Sequence, residues 1–423
     1  SAQNLLFGTL DCELQATPSL QLQYFTYMRT TSVSLLVAIV VSAPRCNAER
    51  ENRLSSDDEA EYRVFRESNG RAEQDSVSFE ERLAHYRRFR QAVLEHNSQP
   101  GVSWKAVINK FADYTEDEFT MLLGHRRSRR TSDSETSSFL QTAPQRNFAA
   151  SVDWSRNLTS VTSVREQGGC GSCWAEAAIG ALEMYEELIS GKGHALSSNQ
   201  VKDCAPNKEH CGGTGGCEGS TAELAYAYVS EKGVAKEHEY GGNKNKDEKC
   251  RESEFRPAVM VKEFVRLPVN KLDPLKEALS NVGPVVVSID ATGWGMYGSG
   301  VFNSCKEDAI VNHAVVATGY GRDGDKDYWL IRNSWGKTWG EKGFIRLFRH
   351  QGDTGADGFC GTDNKPQEGV GCEGGPPTIP VCGMCGVLSD SCYPSGVTVP
   401  SVKKSHHGST LQADTLQLDQ SDA

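Results

Sequence analysis

Two cysteines three positions apart, Cys170 and Cys173, precede an alanine-rich segment with the composition of a helix. Taken alone, a C-x-x-C pair is compatible with a redox centre, half of a zinc site, or a reactive thiol beside a structural disulfide. A thiol reacts as the thiolate, which is favoured at a helix N-terminus next to an imidazole. Cys173 lies at such a helix start, so the rest of the chain must supply a histidine, a group that orients it, and donors for an oxyanion.

Two further polar residues are candidates to act with this thiol. Of the 10 histidines, His313 lies at the start of a predicted strand, after a glycine-rich loop, in the stretch NHAVVATGYG. Asn333 follows in RNSWGKTWGE, on the next predicted strand. A histidine that takes and returns a proton, held by an orienting amide, would complete the set required for nucleophilic catalysis by Cys173.

Three sequence blocks carry a resemblance to a known family. QGGCGSCW, NHAVVATGYG and RNSWGKTWGEKGF resemble, in this order, the active-site blocks of papain-family cysteine proteases of the cathepsin L-like group. His313 lies about 140 residues after Cys173, within the expected separation of roughly 130–150 residues. The resemblance implies that Cys173 is the nucleophile, that His313 is the general base and then the acid, and that Asn333 holds the imidazole ring.

The resemblance also assigns supporting roles. Gln167 and the backbone amide of Cys173 would form the oxyanion hole, and Trp335 would shield the contact between the asparagine and the histidine from water. Cys170 would then be a structural half-cystine. We therefore expect a hydrolase, a cysteine endopeptidase that cuts peptide bonds through an acyl-enzyme and uses neither a cofactor nor a metal.

The order of the predicted elements indicates a two-part catalytic unit. From about residue 147 the chain is rich in glycine and cysteine, and helical patterns are followed by the strand patterns VVVSI, HAVVATGYG, YWLIRNS and GFIRLF. This order predicts an α+β fold with a cleft between two subdomains. The resemblance implies a papain-like architecture, with a helical left subdomain, a β-barrel-like right subdomain and a helical propeptide in front of them.

Three of the predicted helices carry boundary signals. Gly191 is the expected stop of the helix that begins at Cys173. Ser220 and Glu223 have the spacing of a capping box. Asp273 is the candidate cap of the third helix, with a proline in the first turn.

Five segments are predicted along the chain. Met28, Arg29 and the apolar run VSLLVAIVV have the pattern of a secretory signal peptide cut after Ala48. The run is shorter than the roughly 20 apolar residues that span a bilayer, so no membrane span is expected there. The basic stretch RRSRR, within 124–138, is either an exposed surface run or a processing region. The segments are a non-native leader (1–27), the signal peptide (28–48), an inhibitory propeptide (49–146), a papain-like peptidase domain (147–398) and a disordered tail (399–423).

Composition restricts the partners and the compartment. The formal net charge of -11 and the pI of about 5.5 argue against a nucleic-acid-binding protein, because that function requires a basic face. The 14 cysteines favour the secretory pathway, where disulfides persist. We expect a monomer in a lysosome or vacuole, or a secreted one. Its expected partners are protein and peptide substrates, its own propeptide as inhibitor, and cystatin-like inhibitors.

The segment before the catalytic unit resembles the inhibitory propeptide of the family, although loosely. Its apolar residues recur at three- and four-residue spacing in FEERLAHYRRFRQAVLEHNS, which predicts a helix. The residues that match the propeptide motifs are Arg82, Tyr86, Val93, Asn97, Asn109, Phe111 and Asp113. The residues that depart from them are Ser78, Phe89 and Val107.

The resemblance implies three disulfides, which are Cys170–Cys217, Cys204–Cys250 and Cys305–Cys385. The remaining cysteines are Cys211, Cys360, Cys372, Cys382 and Cys392. Five cannot all pair, so one is free, one reaches another chain, or an assignment is wrong. The stretch 360–384 resembles an inserted loop held by some of these extra bridges. The two C-x-x-C pairs lie too far apart for a zinc ribbon, and Asn157, in NLT, is a candidate glycosylation acceptor.

A substrate pocket follows from the resemblance as well. The pocket for the second residue before the cut bond (P2) would be lined by Ala222, Ser288, Val311, Ala314 and Asp390. Gly219 and Ser220 would bind substrate beside it, Ser220 replacing a glycine whose backbone pairs with substrate in the family. The small and apolar residues favour a leucine-like side chain. Asp390 either meets an incoming arginine at the far end of the pocket or points to solvent.

Glu176 departs from the family pattern, which usually has phenylalanine three residues after the nucleophile. A buried unpaired carboxylate is costly, so Glu176 must find a donor or protonate. It is either a satisfied structural group or an influence on catalysis. A catalytically inactive binding protein of the same fold is disfavoured, since both the nucleophile and the histidine are present. A thiol oxidoreductase is disfavoured because no βαβ repeat surrounds the C-x-x-C pair.

Overall fold

The computed structural model describes residues 58–71, 76–124, 148–353 and 358–400 of the 423-residue chain. The predicted leader and signal peptide, the RRSRR stretch and nearly all of the predicted tail lie outside the described residues. The chain divides into two compact units, Ser1–Leu83 and Ala84–Ala423. In the first unit, residues 58–68 are helical, and the rings of Tyr62 and Phe79 lie 5.2 Å apart.

From about residue 147 onward, helices precede the main strands, as the sequence predicts, and further elements lie upstream. The helices are Phe79–Ser98, Glu116–Leu122, Cys173–Ser190, Ser198–Cys204, Ala222–Lys232, Glu237–Tyr240 and Leu272–Asn281. The strands are β1 (Trp104–Ala106), β2 (Val152–Asp153), β3 (Glu263–Arg266), β4 (Val285–Ile289), β5 (Tyr297–Phe302), β6 (His313–Asp323), β7 (Lys326–Arg332), β8 (Phe344–Phe348), β9 (Cys360–Asp363), β10 (Ile379–Cys382) and β11 (Ser391–Ser395). The predicted helix over 79–98 and the four predicted strand patterns are confirmed.

The main sheet is open rather than closed into a barrel. Its strand order is β1-β5-β8-β7-β6-β4-β11-β3, and β2 adds to β6. Neighbouring strands are antiparallel except for β5 and β8. Within the described residues no pairing joins the end strands β1 and β3. The α+β class and papain-like architecture are therefore correct, but the right subdomain is not a closed barrel.

Two hydrophobic cores meet at strand β6. Val315 and Ala317 belong to the core beneath the sheet, whereas Ala314 and Val316 belong to the core around the helix Cys173–Ser190. Successive side chains of a strand point to opposite faces, so one strand supplies both cores. A strand buried on both faces has the continuous apolar run seen in the sequence. This arrangement brings His313, the first residue of β6, to the junction of the two cores.

Of three predicted helix boundaries, one C-terminal end agrees with the structure and two N-terminal caps do not. Gly191 ends the helix Cys173–Ser190 with φ of 70°, a conformation that favours glycine. The predicted cap at Ser220 is wrong, because the N-cap is Thr221, whose hydroxyl accepts from the Leu224 N–H at 3.5 Å. The predicted cap at Asp273 is also wrong. That helix begins at Leu272, so Asp273 lies inside the first turn, where its charge favours the helix dipole.

The described residues contain five disulfides. Three are the pairs that the resemblance implies: Cys170–Cys217, Cys204–Cys250 and Cys305–Cys385. The other two are Cys211–Cys372 and Cys360–Cys382. Cys392, like Cys173, is a buried free thiol. Cys360–Cys382 closes a two-stranded sheet of β9 and β10, which forms the base of the insertion expected at 360–384. No helix in the described part of the chain is long and apolar enough to cross a membrane.

Candidate active site

The thiol of Cys173 begins the helix Cys173–Ser190 and is fully buried. Burial raises the pKa of this thiol to about 12, while the backbone amide of Ala314 acts in the opposite direction. That amide belongs to the residue after His313, so the nucleophile candidate and the start of β6 are neighbours. The N-terminal end of a helix stabilises a thiolate, but burial dominates here.

The predicted histidine and asparagine are in direct contact. His313 Nε2 lies 2.8 Å from Asn333 Oδ1, and the same oxygen accepts the backbone N–H of Ser334 at 2.7 Å. Asn333 follows directly after β7, which pairs with β6 and so brings the two residues together. The ring of Trp335 lies 4.9 Å from the imidazole and is almost fully buried. Trp335 therefore covers the contact on one side.

Gln167 is held in one orientation by several hydrogen bonds. Its backbone N–H donates to Ser334 O at 2.9 Å, and its side-chain Oε1 accepts from Ser334 Oγ at 2.7 Å. With the amide oxygen fixed, Nε2 donates at 2.9 Å both to Cys170 O and to Leu122 O. The donor that the resemblance assigns to the oxyanion hole is thus bonded to a carbonyl of the upstream segment.

The segment 122–124 lies over the thiol of Cys173. Leu123 O is 3.9 Å from Cys173 Sγ. A Cβ atom at Gly124 would lie 2.6 Å from the same sulfur, and φ there is +67°, so a glycine is required. This contact explains the burial of the thiol. Sequence reasoning did not single out these three residues, because no local pattern distinguishes them.

Further contacts anchor the upstream segment to the peptidase domain. Strand β1 pairs with β5, and Lys110 Nζ lies 2.6 Å from Glu166 Oε2. Phe111 and Phe119 pack edge-on against Trp335, with ring centroids 5.2 and 5.6 Å away. The departure at Val107 is accommodated because the facing residue is Gly298, whose Cβ would lie 2.5 Å from the valine side chain.

The predicted pocket residues are only partly gathered. Ser288 pairs with Ala314 across β4 and β6, and Ala222 and Ala314 share the helix-side core. Val311 is fully buried in a separate small cluster with Ala309 and Val381. Asp390 is partly buried and is bonded to Ser288. The Ser288 N–H donates to the backbone oxygen of Asp390 at 2.9 Å, and the Ser288 hydroxyl donates to Asp390 Oδ2 at 2.6 Å.

Asp390 is beside another carboxylate rather than a cation. Burial and the nearby Glu223 raise the pKa of Asp390 to about 8, whereas the hydrogen bond from Ser288 and the more distant Arg266 lower it. Arg266 Nε contacts Glu223 Oε1 at 3.3 Å, so the guanidinium is paired with the other carboxylate. Below about pH 8, Asp390 is therefore mainly neutral.

The two residues beside the pocket differ in their constraints. Gly219 has φ of +95°, and a Cβ there would lie 1.6 Å from Gly124 O and 2.1 Å from Gly212 O, so no side chain fits. Ser220 is buried, and its hydroxyl has no hydrogen-bond partner within the described residues. Asn157 is exposed after a short 3-10 turn, Trp154–Arg156, and its glycosylation remains a prediction.

Glu176 is buried and fully paired. Arg165 Nε donates to Glu176 Oε2, and Ser198 Oγ donates to Oε1 at 2.8 Å. Burial alone would raise the pKa of Glu176, but the Arg165 charge and these two donors lower it below its usual value. Arg165 also donates to Glu183 Oε1 at 2.6 Å. Sequence reasoning missed Arg165, because it lies outside the helix that carries Glu176.

Comparisons with known proteins agree with this geometry. The model of the papain family cysteine proteases matches residues 148–377, and that of the cathepsin propeptide inhibitor domain matches residues 62–119. Cathepsin S of Mus musculus is 34% identical over 274 residues, which are 63% of this chain and 79% of the relative. Cathepsin L1 of Drosophila melanogaster is 31% identical over 304 residues, 69% of this chain and 81% of the relative.

Solved precursor structures have the same fold. Digestive procathepsin L 3 of Tenebrio molitor larval midgut superposes with a TM-score of 0.63 at 26% identity, covering 80% of this chain and 99% of that chain. The recombinant stem bromelain precursor superposes with a TM-score of 0.61 at 28% identity, covering 80% of this chain and 98% of the other. Both similarities extend beyond the peptidase domain, because they include four fifths of the chain.

Proposed function

The chain belongs to the papain family of cysteine proteases, and we propose that Cys173 is its nucleophile, His313 its general base and acid, and Asn333 the residue that orients the imidazole. The observation that carries this assignment is the 2.8 Å contact between His313 Nε2 and Asn333 Oδ1. Because Nε2 is used by this contact, Nδ1 is the ring nitrogen left to exchange a proton with the Cys173 thiol. The imidazole then takes the thiol proton and the thiolate attacks.

The proposed reaction has two stages. The Cys173 thiolate attacks the carbonyl carbon of the cut bond, and the oxyanion accepts hydrogen bonds from Gln167 Nε2 and the Cys173 N–H. The imidazolium of His313 gives its proton to the leaving amine, so the C–N bond breaks and a thioester forms. Water, deprotonated by His313, then hydrolyses the thioester and returns the free thiol. Asn333 and Trp335 keep the ring in one orientation throughout.

The precursor carries a cathepsin propeptide inhibitor domain and is a self-inhibited zymogen. We propose that Leu122–Gly124 is the segment that blocks catalysis. It occupies the Gln167 donor and keeps the thiol protonated by burying it, since the thiol pKa is about 12. Removal of the predicted propeptide, residues 49–146, would expose the thiol and free the oxyanion donor. Ion pairs that hold the propeptide on the cleft weaken as carboxylates are protonated, so conversion should be faster near pH 4 to 5 than at about pH 7.

The proposed substrate preference rests on the pocket residues. Ala222, Val311 and Ala314 favour an apolar P2 side chain such as leucine. Arginine at P2 would be accepted through Asp390 when that carboxyl group is ionised, which requires a pH near or above 8. In more acidic solution the same pocket would favour leucine.

The remaining proposals concern the setting of the enzyme. Disulfides persist in oxidising compartments, so a route through the secretory pathway to a lysosome, a vacuole or the cell exterior fits the five bridges of the described residues. Protein and peptide substrates and the propeptide are the partners implied by the two matched domains. We also expect a monomer that binds cystatin-like inhibitors.

A labelling experiment tests the catalytic assignment. A thiol-directed peptidyl epoxide should modify the mature enzyme once per chain, at Cys173, and should abolish peptide hydrolysis. Cys392 supplies a matched control, because it is the other free thiol of the described residues. Cys173→Ala should abolish labelling and activity, whereas Cys392→Ala should retain both.

A second variant separates chemistry from stability. Cys170→Ala removes the bond to Cys217 and should lower the free energy of unfolding by about 2–5 kcal/mol, while the folded fraction still reacts with the epoxide. Activity in folded Cys173→Ala, or a reversible Cys170–Cys173 disulfide in the wild type, would contradict the proposed function.

A further inference from the structure

An insertion connects the two sides of the proposed P2 pocket. Its base is the β9–β10 sheet, and its tip contains the segment 366–373, which we call the strap. Cys372 in the strap is bonded to Cys211, in the loop that precedes the helix Ala222–Lys232. The strap therefore begins on the strand side of the pocket and is covalently joined to the helix side.

On the strand side, the insertion holds the backbone of Val311. The Val370 N–H donates to Val311 O at 2.9 Å, and the Val311 N–H points to Asp363 Oδ2 at 3.5 Å. The Val370 side chain also packs against the buried cluster of Ala309, Val311 and Val381. Both backbone polar groups of Val311 and its side chain are thus fixed by the insertion.

On the helix side, three contacts accompany the disulfide. The Gly212 N–H donates to Gly371 O at 3.1 Å, and the Glu373 N–H donates to Glu209 O at 3.0 Å. His210 Nδ1 lies 2.5 Å from Glu373 Oε2. The strap is therefore bonded to four consecutive residues of this loop, from 209 to 212.

The same loop is tied to Gly219. Asn207 Nδ2 donates at 2.9 Å to both Cys211 O and Gly213 O, and the Gly215 N–H donates to Gly219 O at 2.7 Å. A Cβ at Gly219 would lie 2.1 Å from Gly212 O, so the two backbones are in contact. A continuous series of covalent and hydrogen bonds therefore runs from Val311 through the strap to Gly219.

We propose that the strap determines P2 specificity by fixing the distance between the two walls of the pocket. Val311 and Ala222 belong to different hydrophobic clusters, and packed units of this kind can shift relative to each other. A covalent tie beside the pocket removes that freedom, so side chains too large for the fixed width are rejected. This inference rests on the proposed function, because it assumes that Val311 and Gly219 bind substrate.

The test compares P2 selectivity in enzymes with and without the tie. Mature wild type and Cys211→Ser/Cys372→Ser are assayed with peptides that differ only in leucine or phenylalanine at P2. Without the tie, the ratio of kcat/KM for leucine over phenylalanine should fall at least about fivefold, because a wider pocket rejects the ring less. Val370→Ala keeps the disulfide but loosens the Val311 anchor, and should shift the ratio in the same direction by less.

The matched control is Cys204→Ser/Cys250→Ser, which removes a disulfide that joins two segments on the helix side alone. This control should leave the ratio unchanged even if its melting temperature falls. Epoxide titration of Cys173 counts active sites in every variant. An unchanged ratio in a fully titrated strap variant overturns the proposal, as does an unchanged ratio in Val370→Ala if the double variant does not fold. A wild type that neither titrates nor cleaves any peptide contradicts the proposed function instead.

Discussion

Two acidic residues near the cleft, Glu176 and Asp390, have opposite protonation behaviour. Both are withdrawn from water and both accept a serine hydroxyl, from Ser198 and Ser288 respectively. The pKa of Glu176 is lowered, whereas that of Asp390 is raised to about 8. Burial acts in the same direction on both groups, so burial does not explain the difference.

The nearest charged neighbour explains it. Arg165 donates directly to Glu176, so the ionised carboxylate is stabilised inside the core. Asp390 has Glu223 beside it, and the cation of that region, Arg266, contacts Glu223. A second negative charge disfavours ionisation of a carboxyl group that is already desolvated. A buried carboxylate therefore acts as a permanent charge at one site and as a titratable group at the other.

The largest expected effect is on stability. Glu176→Gln removes one of the two carboxylates that pair with the buried Arg165 guanidinium and leaves only Glu183 bonded to it, so the free energy of unfolding should fall, by up to about 3–5 kcal/mol. Asp390→Asn replaces a carboxyl group that must take up a proton on folding at pH 6, so it should not lower the free energy of unfolding and should instead raise it. Thermal and denaturant unfolding of the two variants, in a Cys173→Ala precursor that cannot digest itself, measures both. An equal loss of unfolding free energy in Glu176→Gln and Asp390→Asn would contradict the proposed difference between the two carboxyl groups.

A second expected effect is the pH dependence of stability. Folded Asp390 keeps its proton up to about pH 8, whereas the unfolded chain releases it near its usual value, so unfolding releases a proton and stability falls as pH rises through that window. Glu176 has the opposite sign: its lowered pKa contributes stability that is lost in acid, below its usual value.

The matched variant isolates the contribution of Asp390. Unfolding of Asp390→Asn should depend less on pH between about pH 5 and pH 8 than unfolding of the Cys173→Ala parent. If the parent became more stable across this range relative to Asp390→Asn, Asp390 would be ionised in the fold.

A third expected effect is on substrate choice. The ratio of kcat/KM for arginine over leucine at P2 should rise about tenfold as pH increases toward 8.5, because ionised Asp390 gives a charge-assisted hydrogen bond of about 1.5–3 kcal/mol. Taking the ratio at each pH cancels the titration of the catalytic groups. In Asp390→Asn the ratio should stay low at every pH. A high ratio at pH 5.5 in the wild type that is lost in Asp390→Asn would mean that Asp390 is already ionised in acid, which contradicts its raised pKa.

The sequence was informative where function depends on residues in contiguous blocks. The motifs around Cys173, His313 and Asn333 each have a distinctive local pattern and carry the family resemblance, and that resemblance implied the fold, the reaction and three disulfides. The need of Glu176 for a hydrogen-bond donor was also predictable, since a carboxylate on an apolar helix is costly to bury unpaired. The identity of that donor was not, because Arg165 and Ser198 come from segments 11 and 22 residues away.

Long-range neighbours limited the other predictions. The resemblance assigns Asp390 to the pocket, and the sequence pattern indicates a capping-box role for Glu223, so the proximity of the two carboxyl groups was missed. The bridge between Cys211 and Cys372 spans 161 residues and has no local signature. The helix cap was predicted at Ser220 but lies at Thr221 for a simpler reason. Either hydroxyl can cap a helix, and only the backbone geometry determines which one does.

The smallest expected effect concerns the serine hydroxyl that donates to Asp390, which corresponds to the Ser198 hydroxyl that donates to Glu176. Ser288 Oγ donates to Asp390 Oδ2 at 2.6 Å and lowers the pKa of Asp390 against the stronger effects of burial and Glu223. Ser288→Ala removes this donor, so Asp390 should ionise at a higher pH. A hydrogen bond worth about 0.5–1.5 kcal/mol corresponds to a shift of up to about one pH unit. The pH profile of the arginine-to-leucine ratio should therefore move toward alkaline pH by that amount, with its upper plateau retained. Because Ser288 is also a residue of the proposed pocket, the shift is compared with Ala222→Ser. That variant alters the proposed pocket but leaves the Ser288 hydroxyl in place, so the midpoint should not move. A midpoint that moves toward acid in Ser288→Ala would mean that Ser288 stabilises the neutral form, and that Asp390 donates its proton to the serine.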